Sequence, residues 1–303
     1  MMTINLPAIV GVKSTELTEK EIELFAHHAP AGFILFKRNC DTPDQVKKLI
    51  KAFHKISGED CPILIDQEGG RVSRLKEPNF KEFREPSAFK TPEEAYANAV
   101  EMALQLKNLG ITINCTPLAD LVFQSTHQVI GDRSFGSDPQ YIGEMAAAVI
   151  KGHFDSGITP VLKHLPGHGR AIVDSHEELP VVNDSKSTLI NTDFRAFQET
   201  LSHLSQAQQQ KLWGMTAHIV YDQIDNKNCA TQSPEIIHNI IRKHIGFSGT
   251  LISDCLTMKA LSGSTVEKAQ KCLHAGCDIV LHCSGDFDEI ADLLTGLSLS
   301  SCK

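Results

Sequence analysis

The chain has 303 residues, of which 41% are hydrophobic and 22% are charged, and its formal net charge is −8. That length fits either one α/β barrel or two ordinary domains. The acidic balance argues against nucleic acid as a partner, because phosphate binding needs a concentrated basic face. The sequence contains no run of about 18 apolar residues, so it predicts no membrane span. The first residues lack the pattern of a secretory signal, so we expect a cytoplasmic protein without membrane contact.

Nine cysteines are spread along the chain, an odd number with no CxxC pair. A disulfide framework favours an even set in a short secreted chain, and a zinc knuckle needs close pairs of cysteines. The sequence therefore predicts reduced thiols, and it predicts neither a metal nor another cofactor.

Eight short apolar runs alternate with eight segments of helical periodicity. The predicted strands are 7–12, 32–36, 62–66, 110–115, 158–164, 212–218, 250–254 and 277–282. The predicted helices are 18–28, 43–57, 92–109, 138–155, 190–207, 234–245, 264–275 and 286–297. Near-continuous hydrophobicity is typical of strands in a parallel sheet that is covered on both faces. The alternation predicts a single (β/α)8 TIM-type barrel over residues 1–303, with no second domain.

Local signals support several helix boundaries. Thr42 and Thr91 each precede a proline, which places a capping side chain before the first helical turn. Gly110 and Gly276 follow helical segments at the position where a left-handed residue ends a helix. The main rival fold, a doubly wound open sheet, would carry a GxGxxG loop after its first strand, and no such loop follows Val10.

Polar residues end most of the predicted strands. They are Lys37, Arg38, Asn39, Asp66, Asp120, Lys163, His164, His218, Asp254 and His282. One charge at a strand end commonly marks only the exit to solvent, but polar residues at most of the ends indicate a site. Barrel enzymes carry their chemistry at the carboxyl ends of the strands, so these residues predict a polar pocket at that rim.

Two groups at this rim have the chemistry for catalysis. In the loop after the fifth strand, Asp174 stands two residues before His176 and can orient its imidazole. With an ordinary pKa near 6.5, such a histidine is a usable general acid or base near neutrality. Asp254 is a carboxylate at the end of a buried strand. It is either a reactive group or a structural acceptor of backbone hydrogen bonds.

Seven segments of the chain match motifs of one enzyme family. They are DQEGGRV at 66–72, KHLPGHG at 163–169 and DSH at 174–176, with GFILFKRN at 32–39, IGDRSFGSDP at 130–139, MTAHIVY at 215–221 and SDCLTM at 253–258. Together they resemble family 3 glycoside hydrolases of the bacterial β-N-acetylglucosaminidase type. The resemblance implies exo-hydrolysis of a terminal β-linked N-acetylglucosamine, chiefly from muropeptides during cell-wall recycling in the cytoplasm.

The resemblance also implies roles for individual residues. The family's nucleophile falls on Asp254, and its acid/base falls on His176 with Asp174 as partner. Its sugar-binding residues fall on Asp66, Arg74, Arg133, Lys163 and His164. The implied mechanism is retaining: Asp254 forms a glycosyl-enzyme, while His176 protonates the leaving group and then activates water. For Arg133, a purely structural role in bracing the loop 116–137 stays open.

The chain departs from the family pattern at a few positions. Cys255 replaces a common second acid beside the nucleophile, and Leu165 replaces a usual phenylalanine. Cys115 and Thr116 alter the end of the fourth strand. Cys255 is either a small packed thiol or a group that changes the hydrogen bonding around Asp254. We expect an active monomer whose partner is an N-acetylglucosamine-containing saccharide or muropeptide.

Two other functions stay open at this point. A metal-dependent barrel hydrolase would use His164, His168, His176 and His218 as ligands, with Asp174 and Asp254. However, Pro166 and the neighbouring glycines break any helix between His164 and His168, so these two histidines would not share a helical face. The other candidate is a catalytically inactive sugar-binding barrel, which the presence of both Asp254 and His176 disfavours.

Overall fold

The computed structural model describes residues 5–175 and 177–300, and eight of its strands close into a parallel barrel. The strands in chain order are β1 (Leu6–Val10), β2 (Pro30–Leu35), β3 (Ile63–Ile65), β4 (Ile113–Asn114), β5 (Thr159–Leu165), β6 (Val181–Val182), β7 (Trp213–Thr216), β8 (Val220–Tyr221), β9 (Thr250–Cys255) and β10 (Ile279–His282). Around the barrel the order is β1-β10-β9-β7-β5-β4-β3-β2. The predicted (β/α)8 barrel is confirmed, and each predicted strand overlaps a barrel strand.

Helices lie between the strands and pack against the outside of the barrel. They are α1 (Glu19–His27), α2 (Pro43–Ser57), α3 (Pro92–Leu109), α4 (Pro139–Asp155), α5 (Lys186–Asn191), α6 (Asp193–Ser202), α7 (Gln206–Lys211), a π-helix (Ile236–Ile245), α8 (Thr265–Ala275) and α9 (Phe287–Ser300). Thr42 and Thr91 cap α2 and α3, because each side chain accepts a hydrogen bond from the backbone N–H three residues later. Gly110 and Gly276 end α3 and α8 in the left-handed conformation, as predicted.

The prediction of one continuous helix at 190–207 is wrong. Three short helices, α5, α6 and α7, replace it because polar residues interrupt the apolar periodicity. Thr192 separates α5 from α6. Ser205 begins α7 with a capping box, in which its side chain and that of Gln208 each accept from the other residue's backbone N–H. The glutamine-rich stretch therefore forms a helix of its own.

The inside of the barrel is filled by an apolar layer to which every barrel strand contributes. It consists of Ile9, Ile34, Leu64, Ile113, Cys115, Val161, Met215, Ile252 and Leu281. Side chains alternate between the two faces of a strand, so the residue two positions later also points inward, nearer to the carboxyl end. For five strands this residue lies at or just beyond the carboxyl end, and it lines one cavity. These residues are Phe36, Asp66, Lys163, Asp254 and Cys283. Strand alternation thus delivers the polar side chains to a single rim.

A second sheet ties the loop after β5 to the loop after β7. Val181–Val182 pairs in parallel with Val220–Tyr221, and the hydroxyl of Tyr221 donates to the carbonyl oxygen of Gly167. The sequence did not predict this sheet, because two-residue strands show no periodicity. The sheet fixes the base of the segment that carries Asp174.

The cysteines are free thiols at the eight positions that the structure describes, and Cys302 lies outside the described residues. Several of them, including Cys229, Cys272 and Cys277, are buried between the strands and the helices. Of the helices within the described part of the chain, none combines the length and the apolar character needed to cross a bilayer.

Candidate active site

A cavity of about 370 Å³ opens at the carboxyl ends of the barrel strands. Most of its charged lining consists of residues that the sequence predicts for binding and nucleophilic attack. These are Asp66, Arg74, Arg133, Lys163, His164 and Asp254. Glu68 and Arg71 complete the charged lining. The fold therefore brings together six of the eight predicted site residues, whose individual roles stay predictions.

One wall of the cavity, which we name the ion-pair wall, is a chain of alternating charges: Arg74, Asp66, Lys163, Glu68 and Arg133. Arg74 Nη2 lies 2.9 Å from Asp66 Oδ2, and Lys163 Nζ lies 3.1 Å from Asp66 Oδ1. Lys163 Nζ also lies 2.6 Å from Glu68 Oε1. Arg133 donates two hydrogen bonds to the Glu68 carboxylate, at 2.7 and 2.8 Å. Each buried charge therefore has an opposite charge within hydrogen-bond reach.

Burial and opposite charge compete in setting the pKa values of this wall. Burial alone would raise the pKa of Asp66, but Lys163 and Arg74 hold it well below its usual range. Burial acts in the same direction on Glu68, but Arg133 and Lys163 lower its pKa to about 2. Burial would lower the pKa of Lys163, whereas Asp66 and Glu68 raise it above its ordinary value. All these groups are therefore charged at neutral pH.

The turn after β3 places both acids of this wall, and it requires two glycines. Gly69 and Gly70 have φ angles of +101° and +56°, a region that favours glycine. A Cβ on Gly69 would lie 2.1 Å from the carbonyl oxygen of Arg84, so the close approach also excludes a side chain. The side-chain oxygen of Gln67 accepts from two backbone N–H groups of the returning chain. The DQEGGRV segment thus turns so that both carboxylates contact Lys163.

His164 is held at the cavity by a buried carboxylate. Asp120 Oδ2 lies 2.6 Å from Nδ1 of His164. Asp120 also accepts hydrogen bonds from the backbone N–H groups of His164 and His168. Because Nδ1 is engaged with Asp120, a substrate group would meet Nε2 of the His164 imidazole.

The opposite side of the barrel supplies a wall that is largely apolar and rich in sulfur, which we name the thiol wall. It consists of Asp254, Cys255, Thr257, Met258, Leu281 and Cys283. The backbone N–H of Cys255 donates to Asp254 Oδ1 at 2.7 Å, which orients the carboxylate. His218 lies behind this wall, with Nε2 3.1 Å from the Cys255 carbonyl oxygen and Nδ1 2.8 Å from the Thr231 hydroxyl. His218 therefore braces the end of β9.

The predicted acid/base pair falls in the loop after β5. Asp174 is half-buried, and its carbonyl oxygen accepts from the backbone N–H groups of Glu177 and Glu178. It lies outside the set of described residues that line the cavity. His176 lies outside the described residues altogether. The pairing of Asp174 with His176 therefore stays a prediction.

Arg170 anchors this loop to the outer layer of the barrel. Its Nε donates to Asp193 Oδ2 at 2.6 Å, and its Nη1 donates to Asp184 Oδ1 at 2.8 Å. Its guanidinium also lies over the ring of Phe123, 4.3 Å from the centroid. The beginning of the loop is thus fixed by two ion pairs and a cation–π contact.

Arg133 braces a loop and also lines the cavity. Its Nη1 donates to the carbonyl oxygen of Val129 at 2.8 Å, which braces the loop after β4. Its other donors bind Glu68 at the edge of the cavity. A bracing role and a place in the cavity lining are therefore compatible.

Two acids of this site had no role in the sequence prediction, although Asp120 was placed at the polar rim. Glu68 bridges Lys163 and Arg133, and Asp120 orients His164. A signal for Glu68 was present, because the DQE segment carries two acids two residues apart, which share a face in extended chain. The contact of Asp120 with His164 joins residues 44 positions apart, and no local pattern predicts such a contact.

The alternative of a metal-dependent hydrolase needs convergent ligands. Within residues 5–175 and 177–300, no group of three or more His, Cys, Asp or Glu side chains is arranged to hold a metal ion. His218 directs its two ring nitrogens to Thr231 and the Cys255 carbonyl, and His164 directs Nδ1 to Asp120. The described residues therefore do not fit the histidine cluster of this alternative.

Comparison with known proteins places this geometry in a family. The sequence profile of the "Glycosyl hydrolase family 3 N terminal domain" matches residues 5–301. A β-hexosaminidase of Haemophilus influenzae is 35% identical over 301 residues, which cover 96% of this chain and 83% of that protein.

Solved structures agree with the sequence comparison. NagZ from Neisseria gonorrhoeae, in complex with N-trifluoroacetyl-D-glucosamine, has a TM-score of 0.86 and 31% identity, covering 96% of this chain and 85% of that chain. A glycoside hydrolase family 3 β-N-acetylglucosaminidase from Paenibacillus sp. strain FPU-7 has a TM-score of 0.87 and 29% identity, and this chain spans 56% of it. The predicted enzyme class is thereby confirmed: the chain belongs to glycosyl hydrolase family 3, and it is a glycoside hydrolase related to the β-hexosaminidases.

Proposed function

We propose that this family 3 β-N-acetylhexosaminidase is a retaining exo-enzyme that removes terminal β-linked N-acetylglucosamine. The observation that carries the proposal is the placement of Asp254 in one cavity with the ion-pair wall. A nucleophilic carboxylate and a set of hydroxyl-binding groups are two parts that retaining glycoside cleavage needs. The names of the relatives, a β-hexosaminidase and NagZ with N-trifluoroacetyl-D-glucosamine, support an N-acetylated sugar as the substrate.

The ion-pair wall is suited to hold neighbouring hydroxyl groups of one sugar ring. A carboxylate has about four lone-pair sites, and Asp66 uses one on each oxygen for Arg74 and Lys163. It can therefore accept hydrogen bonds from two sugar hydroxyls. Lys163 directs its ammonium group at both Asp66 and Glu68, and a further N–H can donate to a sugar oxygen. Because each charge is fixed by its neighbours, the sugar meets a pre-organised pattern.

In the first chemical step, Asp254 attacks the anomeric carbon and the bond to the leaving oxygen breaks. We assign His176 as the acid that protonates this oxygen, with Asp174 as the carboxylate that orients its ring. In the second step, neutral His176 takes a proton from water, whose oxygen attacks the glycosyl–Asp254 ester. The sugar then leaves in the β-configuration and Asp254 regains its free carboxylate.

Muropeptide fragments in the cytoplasm are the physiological substrate in this proposal. The motif resemblance supports it. Four cations line the cavity, and each is paired with a carboxylate of the protein: Arg71, Arg74, Arg133 and Lys163. Arg71 has the most exposed side chain of the four, at 44%, and we assign it to the part of the substrate beyond the terminal sugar. A higher kcat/KM for chitobiose than for an N-acetylglucosaminyl-anhydromuramyl peptide would contradict this choice.

The main test compares a chromogenic β-N-acetylglucosaminide with the matching β-glucoside, using the wild type and Asp254→Asn. We expect preference for the N-acetyl sugar, loss of turnover in Asp254→Asn, and initial release of the β-anomer by NMR. Asp44→Asn is the matched control, because Asp44 is an exposed acid in the first turn of α2. Equal rates on both sugars, or initial release of the α-anomer, would sink the proposal.

The role of His176 has its own test, which uses leaving groups of different quality. Protonation matters most when the leaving oxygen is basic, so His176→Ala slows poor leaving groups far more than activated phenolates. His203→Ala is the matched control, since His203 is exposed just after α6. Equal slowing of both substrate types would remove His176 from the acid role.

A further inference from the structure

The thiol wall carries a feature that glycoside cleavage does not use, a pair of adjacent cysteines. Cys255 ends β9 and Cys283 directly follows β10, and these two strands are neighbours in the barrel. The backbone N–H of Cys283 donates to Sγ of Cys255 at 3.2 Å. Both residues line the same cavity as Asp254. Both residues therefore border the space that a small solute enters.

The surroundings make these two thiols chemically unequal. They hydrogen bond to each other, which lowers the pKa of Cys255 and raises the pKa of Cys283 well above its ordinary value. The hydroxyl of Thr257 lies 3.0 Å from Cys255 Sγ and adds a second contact to the same sulfur. The guanidinium of Arg38 donates to the Cys283 carbonyl oxygen at 2.6 Å, which puts a positive charge beside the pair. Thiolate character, which controls reaction with oxidants, is thus concentrated on Cys255.

Two other cysteines among the described residues, Cys40 and Cys61, lack this environment. Burial raises the pKa of Cys40 to about 12 and that of Cys61 to about 11, although in each case one polar neighbour opposes it. Neither residue belongs to the described lining of the substrate cavity. Both thiols stay protonated at neutral pH, so they serve as internal references for the pair.

We propose that Cys255 and Cys283 form a modification site for hydroperoxides, and that their oxidation to a disulfide inside the cavity switches the glycosidase off. The Cys255 thiolate attacks one peroxide oxygen and the O–O bond breaks, which gives a sulfenic acid and a hydroxide that takes up a proton. The Cys283 sulfur then attacks the sulfur of Cys255. The S–S bond forms and the sulfenic hydroxyl leaves as water with the Cys283 proton. Two thiols have lost two electrons and two protons, and hydrogen peroxide has become two molecules of water.

The disulfide would disturb the group that we propose as the nucleophile. Cys255 holds Asp254 through its backbone N–H at 2.7 Å, while its side chain contacts Thr257 and the N–H of Cys283. Tethering Sγ to Cys283 turns the side chain out of these contacts and moves the end of β9. A shift of about 1 Å at a reacting group can cost about 100-fold in rate. This loss of activity rests on the proposed function, whereas formation of the disulfide does not.

The test exposes the full chain, purified under reducing conditions, to hydrogen peroxide at neutral pH. Mapping of unreduced peptides is expected to show one cross-link, between Cys255 and Cys283. Activity on the chromogenic β-N-acetylglucosaminide should fall about 100-fold and return after dithiothreitol. Cys255→Ser, compared with its own untreated sample, should resist the same exposure. Cys283→Ser, compared in the same way, should form no cross-link and should lose less activity than the wild type. Cys40→Ser keeps the pair intact and should be inactivated like the wild type.

Three outcomes would overturn the proposal. The first is wild-type protein without the cross-linked peptide. The second is a sulfinic acid on Cys255 that dithiothreitol does not reverse. The third is inactivation of Cys283→Ser as complete and as reversible as that of the wild type. If the untreated chain has no glycosidase activity, the proposed function fails, and the peptide map still decides whether the thiol pair is oxidised.

Discussion

The ion-pair wall and the thiol wall face one cavity but hold their polar groups in different ways. On the ion-pair wall, Lys163 contacts two carboxylates and Glu68 contacts two cations, so these two central charges are fixed from both sides. On the thiol wall, Asp254 lies among sulfur and aliphatic side chains and accepts from the neighbouring backbone N–H. A binding group gains from a fixed position, whereas a nucleophile must change its bonding during the reaction. The comparison teaches that, in the proposed mechanism, substrate holding and bond making fall on opposite sides of the barrel.

The largest expected effect is the loss of kcat when Asp254 of the thiol wall is replaced. Asp254→Asn removes the proposed nucleophile without changing the shape of the thiol wall, so kcat should fall on the order of 10⁴-fold or more. Substrate affinity and the melting temperature should change little, because the ion-pair wall is untouched. Steady-state kinetics and a thermal melt measure both quantities on the same preparation. If Asp254→Asn kept a tenth of the wild-type kcat, Asp254 would not be the nucleophile, and the proposed difference between the two walls would be wrong.

The second largest expected effect is a loss of stability when Glu68 of the ion-pair wall is replaced. Glu68→Gln leaves Lys163 and Arg133 buried with one carboxylate fewer, which should reduce the free energy of unfolding by about 3 kcal/mol. The KM should also rise, because Lys163 loses one of the two partners that fix it. Denaturant unfolding measures the loss. Glu16→Gln is the control, since Glu16 and its partner Lys48 are 66% and 74% exposed and their ion pair should contribute little to stability.

The dependence of the unfolding free energy on acidic pH tests the same ion pairs of Glu68. The pKa of Glu68 falls from an ordinary value of 4.5 to about 2 on folding, because Arg133 and Lys163 outweigh burial. Its contribution is therefore complete above pH 4.5 and is lost as the pH falls toward 2. Between these values the unfolding free energy of the wild type should fall more steeply than that of Glu68→Gln. Parallel pH profiles for the two proteins would mean that Glu68 titrates normally in the fold.

Much of this architecture could be predicted from local sequence. Strand alternation is enough to bring Asp66, Lys163 and Asp254 to one rim, because each lies two residues beyond an interior aliphatic residue. Helix caps such as Thr42 and Gly276 follow from backbone geometry and are equally local. Patterns of this kind extend over a few residues and depend on nothing distant.

The parts that escaped prediction depend on contacts between distant segments. Asp120 contacts His164 across 44 positions, and Val181–Val182 pairs with Val220–Tyr221 from the loop after another barrel strand. The thiol pair is of the same kind: Cys255 stood out in the sequence, but its neighbour Cys283 comes from the next strand around the barrel. Register between strands, which decides such neighbours, is set by the whole sheet rather than by either segment alone.

The smallest expected effect concerns the loop after β5, which belongs to neither wall. Arg170→Lys keeps a positive charge but loses the planar fork that reaches both Asp184 and Asp193, and it weakens the stacking on Phe123. If this loop positions the proposed acid, kcat should fall about tenfold with a poor leaving group and hardly change with an activated phenolate. The KM should stay near the wild-type value, because the ion-pair wall is intact. Arg195→Lys is the matched control, since Arg195 is a half-exposed arginine of α6 that pairs with Glu199. An equal loss on both leaving groups would mean that Arg170 supports the fold of the loop without placing its acid.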